Sequence, residues 1–213
     1  AYAGARSLVT MKQVGLNVAS DPLMSLEYVG VKGGMVILVA DDPGPISSQT
    51  EQDTRHFSRF SKLPCFDPSS AQEAYEMIQE AFEYSEKYGT PVFLRPTTRV
   101  CHGYASIMVK DETEYTHHQP EGFIKDSKRW VIFPRLSFMN HKKIEARNQE
   151  LSDIFSSYEK NTIHPSCDAF KDSKKGIATG GISYTYTMET LKKTGMVKTL
   201  KIATPHPFPE KLA

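Results

Sequence analysis

The first hundred residues alternate short apolar runs with longer amphipathic stretches. The clearest run, Met35–Ala40, has six consecutive apolar residues. A run of this length without alternation is typical of a parallel strand covered on both faces. Strands are predicted at residues 7–11, 35–40, 63–66 and 92–95. This pattern predicts an α/β fold in which helices flank a parallel sheet.

The most regular helical pattern lies between the third and fourth predicted strands. Ser70 and Glu73 have the spacing of a capping box, and Gly89 is placed to end the helix. Apolar residues at positions 71, 74, 75, 78, 81 and 82 share one face. A second amphipathic stretch, from about residue 141 to 160, predicts another helix.

After residue 99 the pattern becomes irregular. Residues 101–140 contain scattered proline, glycine and charge, and only 105–109 and 130–133 look like strands. A strand–turn–helix–strand unit follows, with strands at 176–179 and 197–203 around a helix at 183–193. Because one such unit cannot bury its own sheet, it predicts the beginning of a second α/β domain.

Composition excludes several classes of protein. The 26 Lys and Arg residues nearly balance the 25 Asp and Glu residues, so the chain lacks the basic surface that nucleic-acid binding requires. Its apolar runs are far shorter than the roughly 18 residues of a membrane span. Cys65, Cys101 and Cys167 are too widely spaced for a disulfide scaffold or a metal clamp. The cytoplasm is the expected compartment.

Ligands of open α/β sheets bind beyond the carboxyl ends of the strands, so candidate chemistry is expected there. The first strand is followed by Lys12 and Gly15. Gly15 either allows a ligand to approach the backbone closely or belongs to a plain turn before a helix. After the second strand, four carboxylates offer acid–base groups or Mg²⁺ ligands, or else a Pro-Gly turn and a solvated helix start. These carboxylates are Asp41, Asp42, Glu51 and Asp53.

Three further features have both a functional and a structural interpretation. Arg95 and Arg99 form either an anion clamp or a set of partners for helices and subunits. Thr179-Gly180-Gly181 precedes a helix, but it lacks a complete phosphate-binding motif, so a tight turn is favoured. His117-His118 is a candidate metal pair without a third ligand in view, which favours a surface role.

A combination of short blocks is more specific than any of its parts. The blocks are Gly4-Ala5-Arg6, residues 9–17, Ser20-Asp21-Pro22, Gly33-Gly34, Asp41-Asp42-Pro43-Gly44, Ser47-Ser48-Gln49, Glu51-Gln52-Asp53 and residues 91–99. Together they resemble the alpha subunits of the indolepyruvate branch of the 2-oxoacid:ferredoxin oxidoreductase family, which are thiamine pyrophosphate enzymes. The resemblance continues more weakly through Pro134-Arg135 to Pro205.

The resemblance implies a domain division. Residues 1–103 look like most of a pyrimidine-binding domain, which holds the aminopyrimidine end of the cofactor across a subunit interface. Residues 104–170 correspond to a linker with some β character and a helix, and residues 171–213 to the start of a domain like the carboxyl-terminal domain of transketolase. The fold class is therefore expected to be that of a thiamine-diphosphate-binding pyrimidine domain followed by a partial α/β domain.

The resemblance also implies a reaction. Members of the family oxidatively decarboxylate aryl pyruvates such as indolepyruvate to aryl-acetyl-CoA and pass electrons to ferredoxin. The complete enzyme contains thiamine pyrophosphate with Mg²⁺ and 4Fe-4S clusters, and it assembles with a beta subunit as an oligomer. Residues expected to line the cofactor or substrate pocket are Lys12, Gln13, Gly15, Leu16, Asn17, Asp41, Asp42, Ser48 and Gln49. Phe57, Phe60 and Tyr28 are candidates for an aryl pocket, with the core as the alternative.

The chain also departs from the family pattern. The glutamate that activates thiamine is expected in the segment before Ala1, so no catalytic residue is expected in this chain. No cofactor or metal is expected to bind to it alone, and we expect no turnover from it alone. The main alternative is a non-catalytic α/β interaction or regulatory module of the same fold. A nucleotide-binding domain that uses the Thr179-Gly180-Gly181 turn is a third hypothesis.

Overall fold

The computed structural model describes residues 1–44, 46, 48–115 and 119–213. The strands are β1 (Ser7–Lys12), β2 (Met35–Ala40), β3 (Cys65–Phe66), β4 (Val92–Leu94), β5 (Thr162–His164), β6 (Ile177–Thr179) and β7 (Thr199–Lys201). The helices are α1 (Gln13–Val18), α2 (Ser20–Val29), α3 (Thr54–Ser61), α4 (Ala71–Tyr88), α5 (Thr98–Cys101), α6 (Ser127–Trp130), α7 (Pro134–Phe155) and α8 (Gly181–Thr194).

The first four strands form one parallel sheet in the order β1-β2-β4-β3. Val36 and Val39 of β2 are completely buried, which explains why this strand has a continuous apolar run rather than an alternating one. The predicted α/β class, with helices flanking a parallel sheet, is confirmed. Strands β3 and β4 are shorter than predicted, because residues 63–64 and 95 lie outside the ladder.

Helix α4 begins and ends where the sequence predicts. The Ser70 hydroxyl accepts a hydrogen bond from Glu73 N at 3.2 Å, and Gly89 ends the helix with φ +61° while its N–H donates to Ser85 O. The Glu73 carboxylate accepts from Ser69 N at 2.9 Å rather than from Ser70. The Glu73 side chain therefore bonds to the backbone of residue 69, one residue before the N-cap that the expected capping box would use.

Helix α7 covers the first sheet, and its predicted boundaries are wrong at both ends. It begins at Pro134, because a proline in the first turn needs no backbone donor. It ends at Phe155, where Asn161 Nδ2 donates to the Phe155 carbonyl at 2.8 Å. Leu151 and Phe155 are completely buried in a cluster with Val36 and Phe66. Helix α7 is therefore part of the main core.

The predicted strand–turn–helix–strand unit is present, with one additional strand. Its sheet has the order β5-β7-β6, in which β6 and β7 are parallel and β5 is antiparallel to β7. The sequence gives little signal for β5, because it has three residues and is only half-buried. Helix α8 begins at Gly181, two residues before its predicted start.

The strands predicted at residues 105–109 and 130–133 are absent. Residues 105–109 lie exposed beside α4, where Met108 N donates to the Gln72 side chain at 2.9 Å. Trp130 ends α6, and residues 131–133 are exposed coil before α7. Apolar residues at these positions have no neighbouring strand to pair with, so their composition misled the prediction.

The two sheets are joined through the segment that follows β7. Asp67 N donates to Ala203 O at 2.8 Å, and Cys65 N donates to His206 O at 2.7 Å. Asn161 Oδ1 accepts from Ala203 N at 2.6 Å. Residues 203–206 therefore cover the outer edge of β3. No helix among the described residues is long and apolar enough to span a membrane.

Candidate functional site

One buried arginine lies at the carboxyl ends of β2, β3 and β4. Arg95, which directly follows β4, is 2% exposed. Its Nε donates to Asp41 Oδ2 at 2.5 Å, and its Nη1 lies 3.1 Å from both oxygens of Asp67. Burial lowers the pKa of Arg95, but the carboxylates of Asp67, Asp41 and Asp53 outweigh it and raise that pKa above its ordinary value. Arg95 therefore stays charged.

Asp41 links this arginine to the wall of the site. Its Oδ2 also accepts from Thr54 N, the first residue of α3, at 3.0 Å. Asp53 caps the same helix by accepting from Arg55 N, and it receives the Arg55 guanidinium with Nη2–Oδ2 at 2.6 Å. Burial raises the pKa of Asp53, but its bonds to Arg55 and the charge of Arg95 lower it overall. The start of α3 is thus fixed against the sheet edge.

Asp67 connects the cluster to the second sheet. The carboxylate faces the amino end of α8, where a Cβ on Gly181 would lie 2.6 Å from Asp67 Oδ1. Burial raises the pKa of Asp67 to about 6, although the charges of Arg95 and Arg55 oppose this increase. An acidic side chain of the protein itself thus lies at the helix end that the nucleotide-binding hypothesis assigned to a phosphate.

The expected pocket residues between positions 13 and 17 lie in the short helix α1, and Lys12 is the last residue of β1. Gln13, the first residue of α1, is completely buried, and its Nε2 donates to Ser48 Oγ at 2.6 Å. Gln13 Oε1 is buried without a partner among the described residues. Gly15 lies inside α1, where a Cβ would come within 3.2 Å of Met11 Cβ. The structure brings Gln13 and Ser48 together.

An open cavity of about 370 Å³ lies between α1 and α3. Phe57 and Phe60, which were predicted to form an aryl pocket, line it together with the predicted site residues Leu16 and Asn17. Its described lining is Leu16, Asn17, Gln52, Asp53, Thr54, His56, Phe57 and Phe60. The ring of Phe57 packs edge-on against Phe93 at 6.0 Å between centroids, so it is a fixed wall. Tyr28 lies at a different cavity, where its ring stacks on His141.

Other predicted residues occupy different positions. Asp42 is buried and accepts a hydrogen bond from Thr98 Oγ1 at 3.0 Å. Lys12 is the last residue of β1 and lies beside Ala40 of β2. Gln49 is exposed. Arg99 is exposed and donates from Nε to the hydroxyl of Tyr186 at 2.9 Å, so it does not form a clamp with Arg95. Ser47, His117 and His118 lie outside the described residues.

Sequence reasoning missed Asp67, Thr54 and Thr97. All three are buried at the sheet edge. Asp67 directly follows the predicted strand at 63–66, which is the signal that could have identified it. Asp41 and Asp53 bind arginines rather than each other, and the described residues contain no group of three His, Cys, Asp or Glu side chains suited to a metal ion.

The residues at this edge fit one end of thiamine pyrophosphate. An aminopyrimidine is flat and carries both hydrogen-bond donors and acceptors. The amides of Asn17 and Gln52 and the apolar walls of Leu16 and Phe57 match that chemistry, whereas the completely buried Gln13 does not line the cavity. The same described residues offer no ligand set for the Mg²⁺ that accompanies the diphosphate.

Comparisons with known proteins identify relatives along almost the whole chain. Indolepyruvate oxidoreductase subunit IorA of Pyrococcus abyssi is 40% identical over 213 residues, and that of Methanothermobacter thermautotrophicus is 41% identical over 211. The alignments cover 98% of this chain but only 32% and 33% of the relatives. The chain thus spans about one third of their length. No protein-family model matches it.

A solved structure has the same fold. It is a 2-oxoglutarate:ferredoxin oxidoreductase from Magnetococcus marinus with 2-oxoglutarate, coenzyme A and succinyl-CoA bound. The TM-score is 0.61 at 16% identity, over 98% of this chain and 43% of that one. The resemblance found in the sequence is therefore confirmed: the chain is related over nearly its whole length to indolepyruvate oxidoreductase IorA subunits, and it has the fold of the matching part of a 2-oxoacid:ferredoxin oxidoreductase.

Proposed function

We propose that this chain supplies the pyrimidine-facing and substrate-facing wall of an oxidoreductase that converts aryl pyruvates such as indolepyruvate to aryl-acetyl-CoA. One observation carries the proposal. The Arg95 cluster fixes α3 so that Phe57 and Phe60 lie opposite Leu16 and Asn17 across the 370 Å³ cavity. The names of the IorA relatives support indolepyruvate as the substrate.

Each wall has a distinct role in this proposal. Thiamine pyrophosphate, when bound, supplies the carbanion chemistry of the decarboxylation. The amide of Asn17 holds and orients the ring, while Phe57 and Phe60 bind the aryl group and exclude water. Gln13, which is completely buried, supports this wall from behind. The position of Ser48 orients the Gln13 amide through their 2.6 Å hydrogen bond. Lys12, Gly15, Asp41, Asp42 and Gln49 complete the proposed surroundings.

The remaining parts of the reaction are assigned outside these residues. In this proposal residues 1–103 form the pyrimidine-binding domain, 104–170 the linker and 171–213 the start of a transketolase-like domain. The Mg²⁺ site, the 4Fe-4S clusters, the contacts with ferredoxin and the beta subunit, and the activating glutamate lie elsewhere in a cytoplasmic oligomer. Consistent with that division, turnover is expected from the assembled enzyme and not from this chain alone.

The test uses the product of the complete coding sequence in which this chain lies, assembled anaerobically with its partner subunit. We expect a viologen dye to be reduced only with indolepyruvate and coenzyme A present. Phe60→Ala removes an aromatic ring that lines the cavity and is 71% exposed. Because one aromatic contact with the substrate is lost, KM for indolepyruvate should rise about three- to tenfold. Phe138→Ala, a 66% exposed control on α7, should leave KM within twofold.

Two results would contradict the proposal. Equal effects of Phe60→Ala and Phe138→Ala would remove the aryl pocket from this cavity. No dye reduction with any 2-oxoacid, from a folded and cofactor-loaded assembly, would favour the non-catalytic module instead.

A further inference from the structure

A second cavity of about 500 Å³ lies at the opposite edge of the first sheet. It is bounded by the carboxyl ends of α2 and α4, by α6, and by one face of α7. Gly30 and Gly89 form part of its lining and lead toward the amino ends of β2 and β4. The candidate site lies at the carboxyl ends of these strands, so the two cavities are separate.

The charge of this cavity, hereafter the cationic cleft, differs from that of the chain. The whole sequence is nearly balanced, with 26 basic and 25 acidic residues. Among the described residues that line the cleft, however, five are basic and Glu27 carries the one carboxylate. The basic residues are Lys87, Lys128, Arg129, Lys143 and Arg147. Such a local excess on a balanced chain points to an anion.

Contacts within the protein neutralise only part of this charge. Arg147 Nη2 pairs with Glu27 Oε1 at 2.7 Å. Arg129 Nη2 donates to the Val31 carbonyl at 3.3 Å, just beyond the end of α2. The ends of α2 and α4 each contribute about half a negative charge. After Glu27 and both helix ends are subtracted from the five cations, about three positive charges remain.

The lysines are available to a ligand. Lys87, Lys128 and Lys143 are exposed and have no carboxylate within ion-pair distance among the described residues. The cleft floor is fixed, because Val31 N donates to Gly89 O at 2.9 Å and a Cβ on Gly30 would lie 2.6 Å from that carbonyl. The cations therefore extend from three helices over a rigid backbone floor.

We infer that the cationic cleft binds a small phosphate-bearing polyanion with two or more negative charges. Lysine ammonium groups are point charges suited to phosphoryl oxygens, and Arg129 adds a guanidinium. About three positive charges match a diphosphate at neutral pH, and 500 Å³ accommodates a small organic phosphate. This inference is independent of the proposed oxidoreductase function.

The test is titration calorimetry of the 213-residue chain with inorganic pyrophosphate at pH 7. We expect saturable one-to-one binding that weakens as NaCl increases. The double variant Lys128→Glu/Lys143→Glu should weaken binding at least tenfold. Lys174→Glu/Lys175→Glu, which makes the same charge change at exposed positions before β6, should leave affinity within twofold. Circular dichroism confirms that each variant is folded.

The charge-conserving variant Lys128→Arg/Lys143→Arg should retain affinity within about threefold. Absence of saturable heat with the unchanged chain would overturn the inference. Equal weakening by the two charge-reversal variants would also overturn it, because general attraction to the whole chain would then account for binding. An acidic protein or an anionic membrane as the true partner would appear as binding of those probes without binding of pyrophosphate.

Discussion

At the scale of single residues, Arg95 is held by carboxylates from three segments of the chain. Asp41 follows β2, Asp53 precedes α3 and Asp67 follows β3. Each carboxylate loses hydration on burial, and Arg95 compensates for that loss only while it is charged and in place. Arg95 thus matters more for the shape of the sheet edge than a surface arginine would.

Replacing Arg95 with leucine should destabilise the chain by about 3–5 kcal/mol, since it leaves buried acids without a counter-charge. Arg99→Leu is the matched control, because Arg99 is exposed and its Nε donates a 2.9 Å hydrogen bond to the Tyr186 hydroxyl. Its cost should stay below about 1 kcal/mol. Urea unfolding of both variants measures the difference, and similar costs would show that the cluster is not a special source of stability.

At the scale of elements, prediction succeeded where the signal is local. The apolar run of β2 and the caps of α4 are set by neighbouring residues, so the sequence displays both. The antiparallel strand β5 and the buried role of Asp67 depend on segments far away in the chain, so their local sequence is uninformative. For the candidate site, the resemblance placed Gln13, Leu16, Asn17 and Ser48 in one set, but neither the contacts between them nor the helical state of α1 was predicted.

The first turn of α8 provides an element-level prediction. Gly181→Ala combines an unfavourable positive φ of +52° with a Cβ 2.6 Å from Asp67 Oδ1. We expect a cost of about 2–4 kcal/mol. Gly122→Ala isolates the backbone contribution, because Gly122 has a φ of +85° and no atom lies within 4 Å of the added Cβ. This control should cost about 1 kcal/mol of folding stability. Thermal and urea unfolding measure both values, and equal losses would show that the close approach costs nothing.

At the scale of the whole molecule, stability depends on pH through a few buried groups. Burial raises the pKa of Glu27 to about 7, although Arg147 and Thr90 oppose this increase. Burial, together with Arg147, Arg59 and Lys62, lowers the pKa of His206 to about 4. As pH falls below 7, protonation of Glu27 favours the folded chain and protonation of His206 favours the unfolded one. The two effects therefore oppose each other.

The Glu27 contribution can be isolated by difference. Between pH 7 and its ordinary pKa of 4.5, folded Glu27 binds a proton that the unfolded chain does not. Relative to Glu27→Gln, the unchanged chain should therefore gain stability as pH falls through this range, by at most about 3 kcal/mol. Urea unfolding at pH 5, 6 and 7 tests this. A difference that is constant across the three pH values would contradict it.

The backbone bonds that cover the outer edge of β3 constrain how the chain can be made. Cys65 pairs with His206 and Asp67 with Ala203, so this part of the sheet is completed only after residues 203–206 have been synthesised, about 140 residues after β3. At ribosomal speeds of about 5–20 residues per second, the edge of β3 waits on the order of ten seconds for its cover. During that interval the outer edge of β3 is unpaired in the nascent chain. Proteins that bind nascent polypeptides must then cover this edge.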